Sequence, residues 1–391
     1  MMSPYQHTVV RKALILSLAA MLWSATSVEA QPKGSKSYLL KLIDCPPPRS
    51  EFLPGWDLEG DLDVPCRFGR IGTSTFWFFD LDKNGNLEPG GMDAFAKEGI
   101  RFAVPIPERL LLPEGQFLIE TAPGGLLLLP DPLLIPERVL RDAALITDLR
   151  MMAGLIPLSV TNSASIACRE HCEYLHLNHG IDGHLGLGSH DQDSEKRGHT
   201  IRGAGAGRGS SIAFRQTRFH SALLAWYQSI WHRVSLVDPT IREVGVSLEH
   251  GVAMLYAARR SGSVPQLYHH PPHQATNVPR SFSRLGELPD PAPGTGRSGG
   301  AGCGFPLMVW MRGELRGRKL SSASLEDARG RIVEGYISCP ESPANPAWSS
   351  NSGCAVFLPT RSLRPNTLYR VSFQFEGRDE PVEWEFTTEK R

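Results

Sequence analysis

Proline and glycine cut this chain into short pieces. Of its 391 residues, 31 are proline and 38 are glycine. Proline removes a backbone donor and glycine loosens the backbone, so both interrupt regular elements. Such a chain favours short strands and many turns over a bundle of long helices. Residues 37–135 read as β: "TSTFWFF" (73–79), "RFAVPI" (101–106) and "GQFLIE" (115–120) are short apolar runs. The proline-broken "GGLLLLPDPLLIP" (124–136) suits an edge strand or a packed loop. From Pro136 the pattern turns helical. "ERVLRDAALITDLRMMAGL" places apolar residues three and four apart and stops at Gly154. A second helix is expected with Asn162 as its N-cap, with Ala164, Cys168, His171, Cys172 and Leu175 on one face and Gly180 as its stop. A third, 219–233, stacks Phe219, Leu223, Trp226 and Ile230. "EVGVSLEHGVAMLYAAR" (243–259) reads as two strands joined by a turn at 249–251.

Residues 261–302 carry Pro, Gly, Ser and "HHPPH" (269–273), the composition of a solvated linker. From Gly304 short strands recur at regular spacing. "PNTLYRVSF" followed by "WEFTT" suggests a small immunoglobulin-like sandwich. The expected divisions are a targeting segment at 1–30, a β-rich module at 31–140, an α+β domain at 141–262, a linker at 263–302 and a β domain at 303–391.

Charge is balanced, with 41 basic and 41 acidic side chains. Binders of nucleic acid or anionic membranes need a basic excess, so neither partner is expected. Arg11 and Lys12, the apolar "ALILSLAAMLW" (13–23) and "VEA" (28–30) form a secretory signal peptide with cleavage before Gln31. Its apolar run is too short for an ordinary membrane span, so the expectation is a secreted protein with no transmembrane segment beyond the signal. All seven cysteines follow the cleavage point, consistent with an oxidising compartment. Cys45 and Cys66 bracket one loop, Cys339 and Cys354 another, and each pair is a candidate disulfide. Cys168 and Cys172 are four apart on a helix. Their Cβ atoms would lie ~5–6 Å apart, against the ~3.8 Å a disulfide needs.

The stretch "LRMMAGLIPLSVTNSASIACREHCEYLHLN" (149–178), then "IWHR" and "LVDPTIREVGVS" in order, resembles the CAP superfamily, also called SCP-like. Its members include cysteine-rich secretory proteins, antigen-five allergens and pathogenesis-related proteins, and the bacterial secreted branch fits best. The resemblance covers about a third of the chain. It implies a three-layer α-β-α sandwich, and a shallow cavity in which two His and two Glu hold a divalent metal. Carried over by motif, the histidines match His184 and His232, the candidate ligands of a cavity Zn²⁺. The carboxylates do not carry over: "GAGAGRGSS" (203–211) stands where relatives have Gly-Glu-Asn, and Ser229 takes the second acidic position. Two imidazoles fall short of the three protein ligands zinc ordinarily takes, and lack a hydrolase's acid–base partner. His190, Asp191, Asp193 and Glu195, in the loop after the second helix, are further candidates to complete the set.

Two histidines also have a structural reading. His232 and Arg233 at the end of the third helix suit its dipole and its last free carbonyls. His171, a third ligand candidate, lies on an apolar helix face and reads first as a hydrogen-bonded core histidine. "GAGAGRGSS" is neither a Walker loop nor a G-x-G-x-x-G fingerprint, and its small residues suit close backbone packing. Outside this region, "DLDKNGNLEPGG" (80–91) begins like a calcium loop. Asp80, Asp82 and Asn84 fall at ligand positions one, three and five, and Gly85 at the turn. Position twelve is Gly91, so Asp93 is the candidate to close a Ca²⁺ site; an Asn-Gly hairpin turn is the competing reading.

The sequence thus points to a secreted CAP-domain protein with flanking β modules. Its expected role is non-catalytic binding or scaffolding of an extracellular lipid, glycan or protein. A metal-dependent hydrolase using the cavity histidines, and an adhesion protein acting through its β modules, are the alternatives.

Overall fold

A computed structural model describes residues 37–45, 64–180, 186–260, 267–282, 287, 290–291, 302–346 and 353–390. The expected signal segment, its cleavage point and His184 lie outside the described residues. Among those described, no helix is long and apolar enough to cross a membrane.

Among the described residues, the N-terminal module is built of strands as far as Pro130. Tyr38–Lys41, Gly125–Pro130, Gly115–Ala122 and Arg109–Leu112 form one four-stranded sheet in that order. Ile43–Cys45, Cys66–Ile71, Ser74–Phe79, Ala94–Lys97 and Val104–Pro105 form a five-stranded one. The leucine run at 125–130 is therefore an interior strand, not an edge. Its prolines fall at or after its last residue, where no ladder donor is lost. The chain from Asp80 to Asp93 spans two paired strands, so it is a long loop and not a two-residue hairpin.

Helix α1 (Glu137–Ala143), helix α2 (Leu145–Met152) and strand β1 (Ser159–Val160) follow. Helix α3 (Asn162–His179) is capped by Thr161, one residue earlier than expected, whose hydroxyl accepts from Ala164 N. Asn162 instead ties the helix start to the preceding loop through Leu134 N and Pro132 O. Helix α4 (Ile201–Arg208), strand β2 (Ser210–Ala213), helix α5 (Phe219–Gln228), helix α6 (Val234–Val237), strand β3 (Ile241–Glu249) and strand β4 (Val252–Arg260) complete this part. The sheet order is β1-β3-β4-β2. Alternate residues of β4 face opposite ways. Val252 and Met254 pack with Cys168, Cys172 and Ala206 of α3 and α4. Ala253 and Leu255 pack with residues of α1, α2 and α5. Helices therefore cover both faces of the sheet, and the chain as a whole is α+β.

Close approach explains two glycines. A Cβ at Gly245 in β3 would lie 2.3 Å from the carbonyl carbon of Ala164, so only glycine lets α3 lie flat on the sheet. A Cβ at Gly207 in α4 would meet His171 Cε1 at 2.4 Å and the His190 carbonyl oxygen at 2.6 Å. The glycine-rich segment is thus a packing helix.

The C-terminal module is two facing four-stranded sheets. One comprises His269–His270, Leu307–Trp310, Cys354–Pro359 and Gly335–Ser338. The other comprises Ala275–Val278, Val382–Thr388, Leu368–Phe375 and Leu320–Asp327. Residues 269–278, expected as linker, belong to both sheets. "HHPPH" is accordingly not solvated: His270 is fully buried, and the His269 ring stacks on Trp384 at 4.4 Å between centroids. A single apolar core runs from α1, α2 and α5 into this module. Tyr268 seals the junction, donating from its hydroxyl to Ala153 O at 3.0 Å with its ring 4.9 Å from Trp310. Cys339 is a free buried thiol that accepts Leu320 N, so the expected Cys339–Cys354 bond is not formed. Strand pairing puts Cys45 opposite Cys66, with the Cys45 side chain outside the described residues.

Candidate functional site

Helix α5 stops at Gln228, five residues short of the expected end, and the chain turns through 229–233 before α6. The turn sends consecutive side chains to different tasks. Arg233 is fully buried. Its Nε donates to Tyr227 O at 2.6 Å and its Nη2 to Gln228 O at 3.2 Å, which satisfies the last carbonyls of α5. Its Nη1 donates to Pro306 O at 2.7 Å, and its guanidinium lies over the Phe305 ring at 4.0 Å. The helix-end role expected of the His-Arg pair belongs to Arg233 alone.

His232 points the other way, into a cavity of about 660 Å³. Its Nδ1 lies 2.7 Å from Glu287 Oε1. The other carboxylate oxygen of Glu287 accepts Ile230 N at 2.5 Å and Trp231 N at 3.2 Å. The Glu287 side chain is 1% exposed and that of His232 is 21% exposed. An ionised carboxylate only accepts, so His232 Nδ1 carries the proton. In the neutral ring its Nε2 is then a lone pair, and no hydrogen bond reaches it among the described residues.

His190 lines the same cavity from the end of the 3-10 turn Gly186–His190. Its Nδ1 donates to Gly207 O at 2.9 Å, which leaves its Nε2 as a second lone pair. Burial lowers its pKa, and the nearby His232 acts in the same direction. Ser210, Ser211 and Ser235 add hydroxyls to the wall. The Ser211 hydroxyl is engaged with His232 O and with Ser235 Oγ, so it is not aligned on the imidazole. Asp238, 2% exposed, binds one terminal nitrogen each of Arg260 (2.6 Å) and Arg312 (2.9 Å) at the rim. Arg208 and Asp191 complete the polar lining, and Leu187, Trp231 and Val234 are its large apolar residues.

The structure separates the sequence candidates. His232 lies in the cavity and His184 lies outside the described residues. His171 does not reach the cavity. It is fully buried, its Nε2 donates to Ser189 O at 2.8 Å, and its Nδ1 accepts from Gln192 Nε2 at 3.0 Å. Burial lowers its pKa, so it is a neutral core histidine. Asp193 turns to the backbone N–H of Glu195. The described residues bring the imidazoles of His190 and His232 to the cavity with Asp191 in its lining, but no third ligand atom gathers with the two rings. Among the described residues only Asp80, Asp82 and Asp93 cluster closely enough for a shared metal, and Glu287 stands behind His232 with both oxygens engaged. They do not complete a zinc centre. Glu287 and Arg312 were invisible from spacing: each comes from a segment read as a linker or a separate domain.

The acidic loop does assemble. Carboxylate oxygens of Asp80, Asp82 and Asp93 all lie within 4.8 Å of one another. Asp80 accepts Asn84 N at 3.1 Å and Gly85 N at 2.8 Å. Asp93 accepts Leu81 N at 2.9 Å and Glu88 N at 2.8 Å. Asn84 donates its side-chain amide to Asp82 and Glu88. Burial raises the pKa of Asp93, and the charges of Asp82 and Asp80 add to the effect. Carboxylates are the ligands calcium takes, and these three lie together in one loop.

Residues 143–253 match the sequence model of CAP, the Cysteine-rich secretory protein family, so this segment is a CAP domain. No curated protein matches the chain. Glu287 and Arg312 both fall beyond the matched segment.

Proposed function

We propose that the chain is a secreted, non-catalytic binding protein whose CAP cavity takes a polar, hydroxyl-bearing ligand of the glycan class. One observation carries this reading. His190 and His232 face a common cavity, each with Nδ1 tied back and Nε2 open, so the wall offers two acceptors for ligand hydroxyls. Serine hydroxyls and guanidinium edges beside them suit the oxygen atoms of the same ligand. A lipid tail would desolvate these groups without replacing their hydrogen bonds. The N-terminal signal of the sequence supports export, and a CAP domain is at home outside the cell. The two-sheet C-terminal module, read as immunoglobulin-like, packs on the domain as a rigid support.

The hydrolase alternative draws on the His232–Glu287 pair, which resembles a base and its orienting carboxylate. It lacks a nucleophile, since no described hydroxyl or thiol bonds His232 Nε2. Calorimetric titration of the full chain with soluble chitin and cellulose oligosaccharides, and separately with zinc, tests the choice. Heat of binding with an oligosaccharide and none with zinc is expected. One zinc per chain and no oligosaccharide heat would favour the hydrolase.

A further inference from the structure

We propose that Glu287 is the positioning residue of this cavity: it holds His232 in the Nδ1–H tautomer and so presents the Nε2 lone pair to a ligand hydroxyl. The residue lies 55 positions after His232 in the chain and outside the CAP match at 143–253. The domain alone therefore does not build its own site. The strand-forming segment after it returns a carboxylate to the turn between α5 and α6.

Three bonds define the arrangement. Glu287 Oε2 accepts the N–H groups of Ile230 and Trp231, which α5 has left behind on ending at Gln228. Those two bonds fix the carboxylate plane, and Oε1 then meets His232 Nδ1 at 2.7 Å. With the side chain 1% exposed, water does not compete for these partners. A carboxylate behind an imidazole sets the tautomer and the ring direction, the same relationship that orients ligating and catalytic histidines. The recognition it creates is specific in sign. A lone pair at Nε2 accepts from a hydroxyl or an amine and turns away a bare acceptor. His190, tied to Gly207 O, carries the same preference. The identity of the ligand rests on the binding reading above; the tautomer does not.

Histidine side-chain ¹⁵N spectra of the labelled full chain, recorded near pH 8 (above the ordinary imidazole range), test the proposal. The wild-type His232 should show a protonated Nδ1 and a bare Nε2, and a protonated Nε2 would overturn the idea outright. Glu287→Gln keeps the shape. Its single oxygen must serve the two backbone donors, so its amide NH₂ faces Nδ1, and the proton should move to Nε2. An unchanged tautomer in that variant would also overturn it, because a carboxylate that only caps the turn leaves the ring indifferent. If the variant fails to fold, the wild-type tautomer decides alone. Retention of the full chain on insoluble chitin and cellulose provides the second arm, and Glu287→Gln should weaken it tenfold or more. A wild type with the expected tautomer but no retention would refute the glycan reading and leave the role of Glu287 standing.

Discussion

His232 and Arg233 are adjacent in the chain and face opposite sides of the same turn: the imidazole meets Glu287 at 2.7 Å and opens on the cavity, while the guanidinium is buried against Tyr227 O and Pro306 O. The two residues should separate cleanly on mutation. Arg233→Ala strands two buried carbonyls, Tyr227 O and Pro306 O, and empties the space beside Phe305, a loss of at least ~2 kcal/mol at ~1–3 kcal/mol per unsatisfied group. His232→Ala leaves Glu287 with its two backbone donors and should cost about 1 kcal/mol. Urea unfolding of both variants checks the order; equal losses would mean that His232 carries fold stability as well.

The paired histidines of the C-terminal module predict an acid response. Burial lowers the pKa of His269 to about 4 and that of His270 well below its ordinary value. The unfolded chain binds their protons first, so stability falls as pH drops from about 6.5, the unfolded imidazole value, toward 4. His269→Gln keeps a donor for Pro271 O and should flatten that slope in thermal melts taken across the window. An unchanged slope would assign the response to other groups. His270 has both ring nitrogens buried and unsatisfied beside Tyr227 and Phe305. His270→Phe should therefore stabilise by about 1–2 kcal/mol at neutral pH.

Asp238 joins the CAP domain to Arg312 of the C-terminal module across 2.9 Å, with the Asp238 side chain 3% exposed. A double-mutant cycle on Asp238→Asn and Arg312→Gln should return a coupling of about 1–2 kcal/mol. A coupling near zero would make this contact incidental and leave the apolar junction around Tyr268 as the whole of the attachment.

The acidic loop predicts weak calcium binding. A site without a bidentate Glu falls at ~10⁻⁴–10⁻³ M. Calcium near 10 mM should then stabilise the full chain by about 1.4–2.7 kcal/mol, and Asp80→Ala with Asp82→Ala should abolish the gain. Raising the pKa of Asp93 means that native-state stability, without calcium, declines as pH rises from 3.8 through the raised value. Absence of both the heat and the stabilisation would leave the stretch as a loop held only by its own N–H bonds.

Local signals made much of the fold legible. Asn162 places the start of α3 within one residue of its Thr161 cap, the periodicity from Ala164 to Leu175 gives its buried face, and the turn expected at 249–251 joins β3 to β4 through His250 and Gly251. The errors arose where tertiary contacts overrule composition. "HHPPH" has the residues of a solvated linker, yet Trp384 and Phe305 bury it. The apolar spacing through Ile230 continues past the last residue of α5, Gln228, and so overstates the length of the helix. Of the site, His232 was readable from its motif, and His190 was named only as one of several loop candidates. Glu287 was not readable, because a single acid in "GELPD" carries no spacing signal. Only the return of the chain to the α5–α6 turn gives it a role.

The central claim is that His190 and His232 form one ligand site through their open Nε2 atoms. Retention of the full chain on insoluble chitin and cellulose, measured beside His190→Ala and His232→Ala chains with matched melting behaviour, tests it most directly. Wild-type retention on at least one glycan and a loss of tenfold or more in each variant are expected. Retention undiminished in both variants, or no retention by the wild type, would contradict it.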